Sequence, residues 1–304
     1  MGLYESFARA MKDLPGEALE NAPLKDYCSF RIGGPAEVLY TPRSERSLIA
    51  ALRWCGENGV PCTVLGNGTN VLISDRGVKG VTVRLAGGLD DLIYLGENVI
   101  AAGAGVQLTK VCLLARDRGL TGLEFAYGIP GSVGGAVYMN AGAYRGEIKH
   151  VLLSARSVSK TDGSVEETPA DQLERSYRHS VFMKNGRVVT AAYFRLTPGD
   201  PEEISARMTE LLGRRKASQP LDRPSAGSTF KRPEIGFAAA HIDRCGLKGC
   251  RVGGAQVSEK HAGFVINAGD ATCEDVKKLM AQIRRVVYEK DGVLLEPEVE
   301  IIGE

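Results

Sequence analysis

Two glycine-rich stretches of the 304-residue chain hold the residue types best suited to chemistry: GNGTN, from Gly66 to Asn70, and GIPGSVGGAVYMNAGAY, from Gly128 to Tyr144. Glycine inside an element costs roughly 0.5–1 kcal/mol relative to alanine, so such clusters need a compensating use. The usual one is close approach of main-chain N–H groups to a ligand. GNGTN offers several N–H groups, the Thr69 hydroxyl and the Asn67 and Asn70 amides, a donor set that suits a diphosphate. It is not a Walker A loop, because no Gly-Lys-Ser/Thr follows, and not a Rossmann turn, because a β-type run comes next instead of a helix. Taken alone, Asn67-Gly68 fits a plain β-turn between two strands better. In the second stretch, Pro130-Gly131 reads as a turn into a short helix. The small residues there would let its first N–H groups touch a phosphate or a flat ring, with tight backbone packing as the plain alternative. Two such loops in one chain together suggest a nucleotide cofactor laid between two subdomains.

The elements that would position these loops follow from pattern. An N-terminal helix is expected to end near Pro15-Gly16, and a second runs from a Ser44 cap to Asn58-Gly59. Short β-type runs at Thr63–Leu65 and Val71–Ile73 flank GNGTN. Further strands fit Val81–Leu85, Val99–Ala102 and the region of Gly103–Val106, then a short helix from Leu108 to Gly119. Residues 151–196 alternate with turn signals, as antiparallel strands do. TPGDPEE at 197–203 reads as a linker and helix start, with Pro201 near N1 and acids in the first turn. Beyond it come a helix near Glu234–Cys245, strands around Gly254–Val257 and Gly263–Asn267, and a long helix. That helix starts in a Thr272/Asp275 capping box and ends at Asp291-Gly292. VLLEPEVEII is a final strand.

Bulk composition excludes several classes. The chain is 43% hydrophobic and 25% charged, with 38 basic against 37 acidic residues and a net charge of +1. That is ordinary globular composition without the basic footprint of a nucleic-acid binder. The N-terminus lacks the apolar core of a signal peptide, and no apolar run reaches membrane-spanning length. MGLYES matches the myristoylation pattern at Gly2 and Ser6, with nothing else to support it. Seven cysteines, at 28, 55, 62, 112, 245, 250 and 273, form no C-x-x-C pair and no zinc pattern. They read as small buried hydrophobes in a reducing compartment, so no metal is expected and the chain reads as cytoplasmic.

Six segments in order, VLGNGTNVLI, IPGSVGGAVYMNAGAY, SYRHSVF, SAGSTFKRP, GLKGCRVGGAQVSEKHAGFVIN and LEPEVEIIG, resemble successive motifs of the UDP-N-acetylenolpyruvoylglucosamine reductases. The resemblance spans roughly residues 24 to 303. It implies an α+β chain. A vanillyl-alcohol-oxidase-type FAD-binding fold of two α/β subdomains, about 21–85 and 86–198, would follow an N-terminal helix at 1–20. A smaller α/β substrate domain would occupy 199–304. It implies reduction of UDP-N-acetylglucosamine enolpyruvate to UDP-N-acetylmuramate, with FAD and NADPH, for peptidoglycan synthesis. A monomer is expected, without nucleic-acid or membrane partners. The short stretch between Arg178 and Ser228 shows no sign of the extra substrate loop of one branch, which puts the chain in the shorter branch.

The resemblance also assigns residues. Gly66, Asn67, Gly68, Thr69 and Asn70, with Ile129, Pro130, Gly131, Ser132, Gly134, Gly135, Asn140 and Gly142, would surround the flavin. Charge developing beside a reduced enolpyruvyl double bond needs cations, donors and an acid. By resemblance Ser228 is the proton donor, Arg178 the guanidinium that binds and stabilises a carboxylate, and Glu298 the catalytic glutamate. Read without the family, the three are a turn hydroxyl, a surface charge and an outward charge on a strand. Lys216 falls where the family places a basic residue for the nucleotide diphosphate, though a helix C-terminal lysine is the plain alternative. Arg232 lies in the substrate motif, and His261 would line the substrate pocket unless it is a satisfied core histidine. Two positions depart from the family: Arg232 stands where asparagine is common, and Arg145 where glycine is frequent. Two rival readings remain at this point, a flavin oxidase acting on a small alcohol or sugar and a non-redox nucleotide-sugar binder.

Overall fold

A computed structural model describes residues 2–303 of the chain. Those residues divide into two units that interleave along the sequence. The first takes the residues up to Glu20, Glu37–Asn67 and Gly80–Arg214. The second takes Asn21–Ala36, Gly68–Lys79 and the described residues from Arg215 onward.

The first unit is built on two sheets. One has four strands in the order Gly16–Pro23, Pro35–Pro42, Val78–Arg84, Cys62–Leu65, the last two parallel. Helices α1 (Leu3–Met11) and α2 (Glu45–Glu57) share its apolar core, where Phe7 meets Tyr40 and Trp54 edge-on at 5.1 and 5.2 Å. Such edge-to-face pairs add to the burial of the rings. The other sheet is antiparallel, in the order Val165–Pro169, Leu152–Ser159, Arg187–Arg195, Val99–Gly103, Leu92–Gly96. Against it pack α3 (Leu108–Asp117), the short α4 (Val133–Tyr138) and α5 (Pro201–Ser218). Ile204 and Met208 of α5 belong to this core, and the first unit runs to Arg214, inside the helix expected to open the substrate domain.

In the second unit, a three-stranded antiparallel sheet (Arg251–Val252, Ala255–Val257, Val265–Asn267) packs with α6 (Ala238–Arg244) and α7 (Cys273–Asp291). Val71–Ile73 pairs in parallel with Glu300–Ile302.

Helix starts and stops follow their local chemistry. Ser44 caps α2 and Thr272 forms the expected box with Asp275 on α7, which ends at Gly292 with φ +67°. Asp75 adds a second clamp on α7, its two carboxylate oxygens accepting from Cys273 N at 2.7 Å and Glu274 N at 3.1 Å. An acid there also complements the helix dipole. The N-terminal helix is shorter than the expected 1–20. It stops at Met11, and Gly16–Pro23 is instead a largely exposed sheet-edge strand. Of VLLEPEVEII only Glu300–Ile302 is a strand. Among the described residues all seven cysteines are free thiols, and no helix is long and apolar enough to cross a membrane.

Candidate active site

In the first unit the two glycine stretches touch. Asn67 Nδ2 donates to Pro130 O at 2.6 Å. A Cβ on Gly66 would lie 2.7 Å from Ser132 Oγ, so no side chain can stand between the two segments there. The β-turn alternative for GNGTN fails. Cys62–Leu65 pairs with Val81–Arg84 and Val71–Ile73 with Glu300–Ile302, so the runs flanking the loop do not pair with each other. Gly68 is a glycine for two reasons. Its φ is +63°, and a Cβ would sit 2.2 Å from Tyr27 O. Within the second unit, to which Gly68 and Tyr27 belong, Ser29 holds Gly68, its N–H donating to Gly68 O at 2.9 Å and its hydroxyl to Ser225 O at 2.6 Å.

At α4 the small residues serve packing. Val133 N and Gly134 N donate to Val106 O and Ala104 O, both at 2.9 Å, and Gly135 N to the Ser132 cap at 3.4 Å. Gly134 is pressed on Ala104, whose Cβ would be 2.8 Å from an added one. The N–H groups expected to meet a phosphate at this helix start are therefore engaged by the protein itself. Both asparagine amides of GNGTN also act as braces: Asn70 Nδ2 donates to Glu298 O at 3.0 Å, as Asn67 does to Pro130 O. What the loops offer a ligand is main chain stripped of side chains, which fits a flat dinucleotide carrying a diphosphate.

Arg178 lies on a tight two-residue turn of the first unit. Ser176 and His179 exchange both main-chain hydrogen bonds at 3.2 Å, and Arg178 takes φ +54°. For a non-glycine residue this conformation costs about 1 kcal/mol or more, and it persists only where neighbours enforce it. Its guanidinium lies 4.9 Å from the Tyr177 ring centroid and donates to Gly142 O at 3.2 Å. Beneath the turn Asn140 is wholly buried, with φ +43°. Expected beside the cofactor, its amide is engaged by protein groups on every side. Nδ2 donates to Ser176 O at 2.8 Å and Glu147 Oε2 at 3.1 Å, and Oδ1 accepts from Lys149 N at 2.9 Å. Burial alone would raise the Glu147 carboxyl, but hydrogen bonds from Lys149 and Asn140 hold it below its ordinary range.

In the second unit Ser228 and Glu298 lie on neighbouring antiparallel segments. Glu298 N donates to Thr229 O and Lys231 N to Glu296 O, both at 2.9 Å, with Phe230 bridging Pro297. On the other side Thr229 N donates to Gly263 O at 2.9 Å, and Val265 N to Thr229 Oγ1 at 3.0 Å. Ser228 itself is exposed while Thr229 and Phe230 beside it are buried, so the hydroxyl is presented from a fixed strand-like segment. His261 is near the same lacing. Its Nδ1 accepts from Gly263 N at 3.2 Å, its ring meets Phe264 edge-on at 5.0 Å, and burial pushes its pKa below the ordinary value. Lys216 is exposed near the end of α5, and its carbonyl accepts from Lys260 Nζ at 2.6 Å. Arg232 is exposed and stacks over Phe237 at 4.4 Å. Arg145, the other departure, sits at φ +69°, a backbone state that suits the glycine frequent there.

The structure thus gathers Gly66, Asn67, Pro130 and Ser132 at one place, Arg178 with Asn140 and Gly142 at a second, and Asn70, Ser228, Glu298 and His261 along one set of paired segments. Sequence reading missed Ser29 and Thr229, whose roles depend on partners 36 or more positions away.

Comparison with known proteins fits this layout. Residues 36–169 match the FAD binding domain family, and residues 219–302 match the C-terminal domain of UDP-N-acetylenolpyruvoylglucosamine reductase. The chain is 47% identical over 288 residues to a UDP-N-acetylenolpyruvoylglucosamine reductase of Clostridium novyi, covering 95% of this chain and 93% of that one. The chain belongs to the UDP-N-acetylenolpyruvoylglucosamine reductase family. A member from Clostridium perfringens is 45% identical over 305 residues, covering 100% and 99% of the two chains. The crystal structure of the Thermus caldophilus reductase superposes with a TM-score of 0.81 at 36% identity, over 95% of this chain and 100% of that one. The family carries an FAD-binding fold joined to its own C-terminal domain, the mixed α+β architecture found here.

Proposed function

We propose that this chain reduces UDP-N-acetylglucosamine enolpyruvate to UDP-N-acetylmuramate, the reductive step in making a peptidoglycan precursor, with FAD as cofactor and NADPH as reductant. Full-length similarity to reductases of that name supports the reaction. The observation that carries it onto residues is the pairing of the Ser228 and Glu298 segments, held by main-chain bonds beside the Asn70 end of the glycine loop.

A bound flavin supplies the two-electron transfer between nicotinamide and the enolpyruvyl double bond. The chain's own residues do the rest. Gly66, Asn67, Gly68, Thr69 and Asn70, with Ile129, Pro130, Gly131, Ser132, Gly135 and Gly142, hold the dinucleotide, chiefly through main chain. Arg178 binds the substrate carboxylate and stabilises the charge that develops on it. Ser228 Oγ gives its proton to the adjacent carbon, and Glu298 orients that hydroxyl and favours its re-protonation. Lys216 attracts the nucleotide diphosphate. Arg232, in place of the family's common asparagine, and His261 line the sugar-nucleotide side. The short connection from Arg178 to Ser228, which holds one long strand and α5, supports the branch without the extra substrate loop. Seven free thiols support a cytoplasmic location, and a monomer is the expected state.

Ser228→Ala tests the assignment. Flavin should bind and be reduced by NADPH as before, while reduction of the enolpyruvyl substrate slows by roughly a hundredfold, as for loss of a positioned acid. Normal turnover of this variant would remove Ser228 as the proton donor.

A further inference from the structure

Three hydrogen bonds tie the strained turn of Arg178 to one short stretch, 138–142, inside the second glycine segment. Asn140 Nδ2 donates to Ser176 O at 2.8 Å, Ser180 Oγ donates to Tyr138 O at 2.6 Å, and Arg178 itself donates to Gly142 O at 3.2 Å. Asn140 and Ser180 are both wholly buried, so neither polar side chain has water as an alternative partner. Asn140 is held in turn by Glu147 and by Lys149 N, and Glu147 is paired with Lys149 at 2.7 Å. A left-handed arginine at a turn tip, braced at both feet of the turn, is a side chain aimed by its surroundings.

We propose that Asn140 is a positioning residue for Arg178. Its amide fixes the Ser176 foot of the turn, Ser180 fixes the other foot, and together they hold the guanidinium where the substrate carboxylate must meet it. This rests on the role of Arg178 given above. It gives the end of the glycine segment a second task besides facing a cofactor, and it explains why a fully buried asparagine sits there at positive φ.

The test uses the flavin-loaded enzyme and follows its two half-reactions separately by stopped flow. Asn140→Gly keeps the left-handed backbone without strain and removes the side chain whose amide makes these bonds. It should leave flavin reduction by NADPH within about twofold and slow reoxidation by UDP-N-acetylglucosamine enolpyruvate about tenfold, the scale of a small misplacement of a reacting group. Ser180→Ala, which carries the test if the first variant fails to fold, should slow the same half-reaction about threefold. In an Arg178→Ala background neither change should slow reoxidation further, because the residue they position is gone. Equal slowing of both half-reactions, loss of flavin, or a full additional effect in the Arg178→Ala background would overturn the proposal. Reoxidation at the wild-type rate in Arg178→Ala alone would instead overturn the role of Arg178, a result the other variants cannot mimic.

Discussion

Arg178 in the first unit and Ser228 with Glu298 in the second are held by different means. Arg178 hangs on a strained turn whose feet are braced by buried side chains, Asn140 and Ser180. Ser228 and Glu298 are laced into place by main-chain hydrogen bonds from Thr229, Lys231 and Glu298 itself. Main-chain lacing depends little on residue identity, so it tolerates most substitutions that keep the backbone path. Side-chain bracing concentrates the dependence in a few residues.

The largest expected effect falls at a glycine that the neighbouring main chain leaves no room to change. Gly68→Ala adds a Cβ 2.2 Å from the Tyr27 carbonyl at φ +63°. Clash and left-handed strain together should destabilise by about 3 kcal/mol or more. Gly59→Ala, at φ +64° with nothing within 4 Å, carries the conformational cost alone and should lose about 1 kcal/mol. Denaturant unfolding of the two variants measures the gap. Equal losses would mean that Tyr27 does not confine Gly68.

A smaller effect is expected at a side chain within the lacing. Thr229→Val keeps shape but strips the acceptor from the buried Val265 N–H, at a cost of about 1–3 kcal/mol. Its effect on catalysis should be slight compared with Asn140→Gly, because the main-chain bonds around Ser228 remain. A variant as stable as the parent would show that the Thr229 hydroxyl carries none of the lacing.

The smallest is a pH effect at His261. Burial holds its imidazole below the ordinary value of 6.5, so as pH falls the unfolded chain takes up the proton first. The stability this group contributes is present above that value and is lost on acidification, until the folded form is protonated too. His261→Gln should flatten the decline between neutral and mildly acidic pH. An unchanged slope would place the acid sensitivity elsewhere.

Much of this was legible because it is local. The Ser44 cap, the Thr272/Asp275 box, Gly292 at the end of α7 and the short runs beside GNGTN each leave a signature within a few residues. What was not legible depends on partners far along the chain. No pattern near Asn70 announces Glu298 O, 228 positions away, and none near Ser29 announces Ser225. Asn140 reads as a ligand-facing amide beside glycines because sequence shows neither its burial nor its partner at Ser176. The strand Gly16–Pro23 leaves no signal, because a largely exposed edge strand has no apolar alternation to mark it. Family motifs, not periodicity, singled out Ser228 and Glu298.

The most direct measurement is the visible absorption spectrum of the purified chain, taken anaerobically before and after NADPH and then after UDP-N-acetylglucosamine enolpyruvate. A yellow protein that NADPH bleaches and the UDP-sugar restores is the predicted result. A colourless protein that takes up no FAD, or a bleached flavin that recovers only when oxygen is admitted, would contradict it.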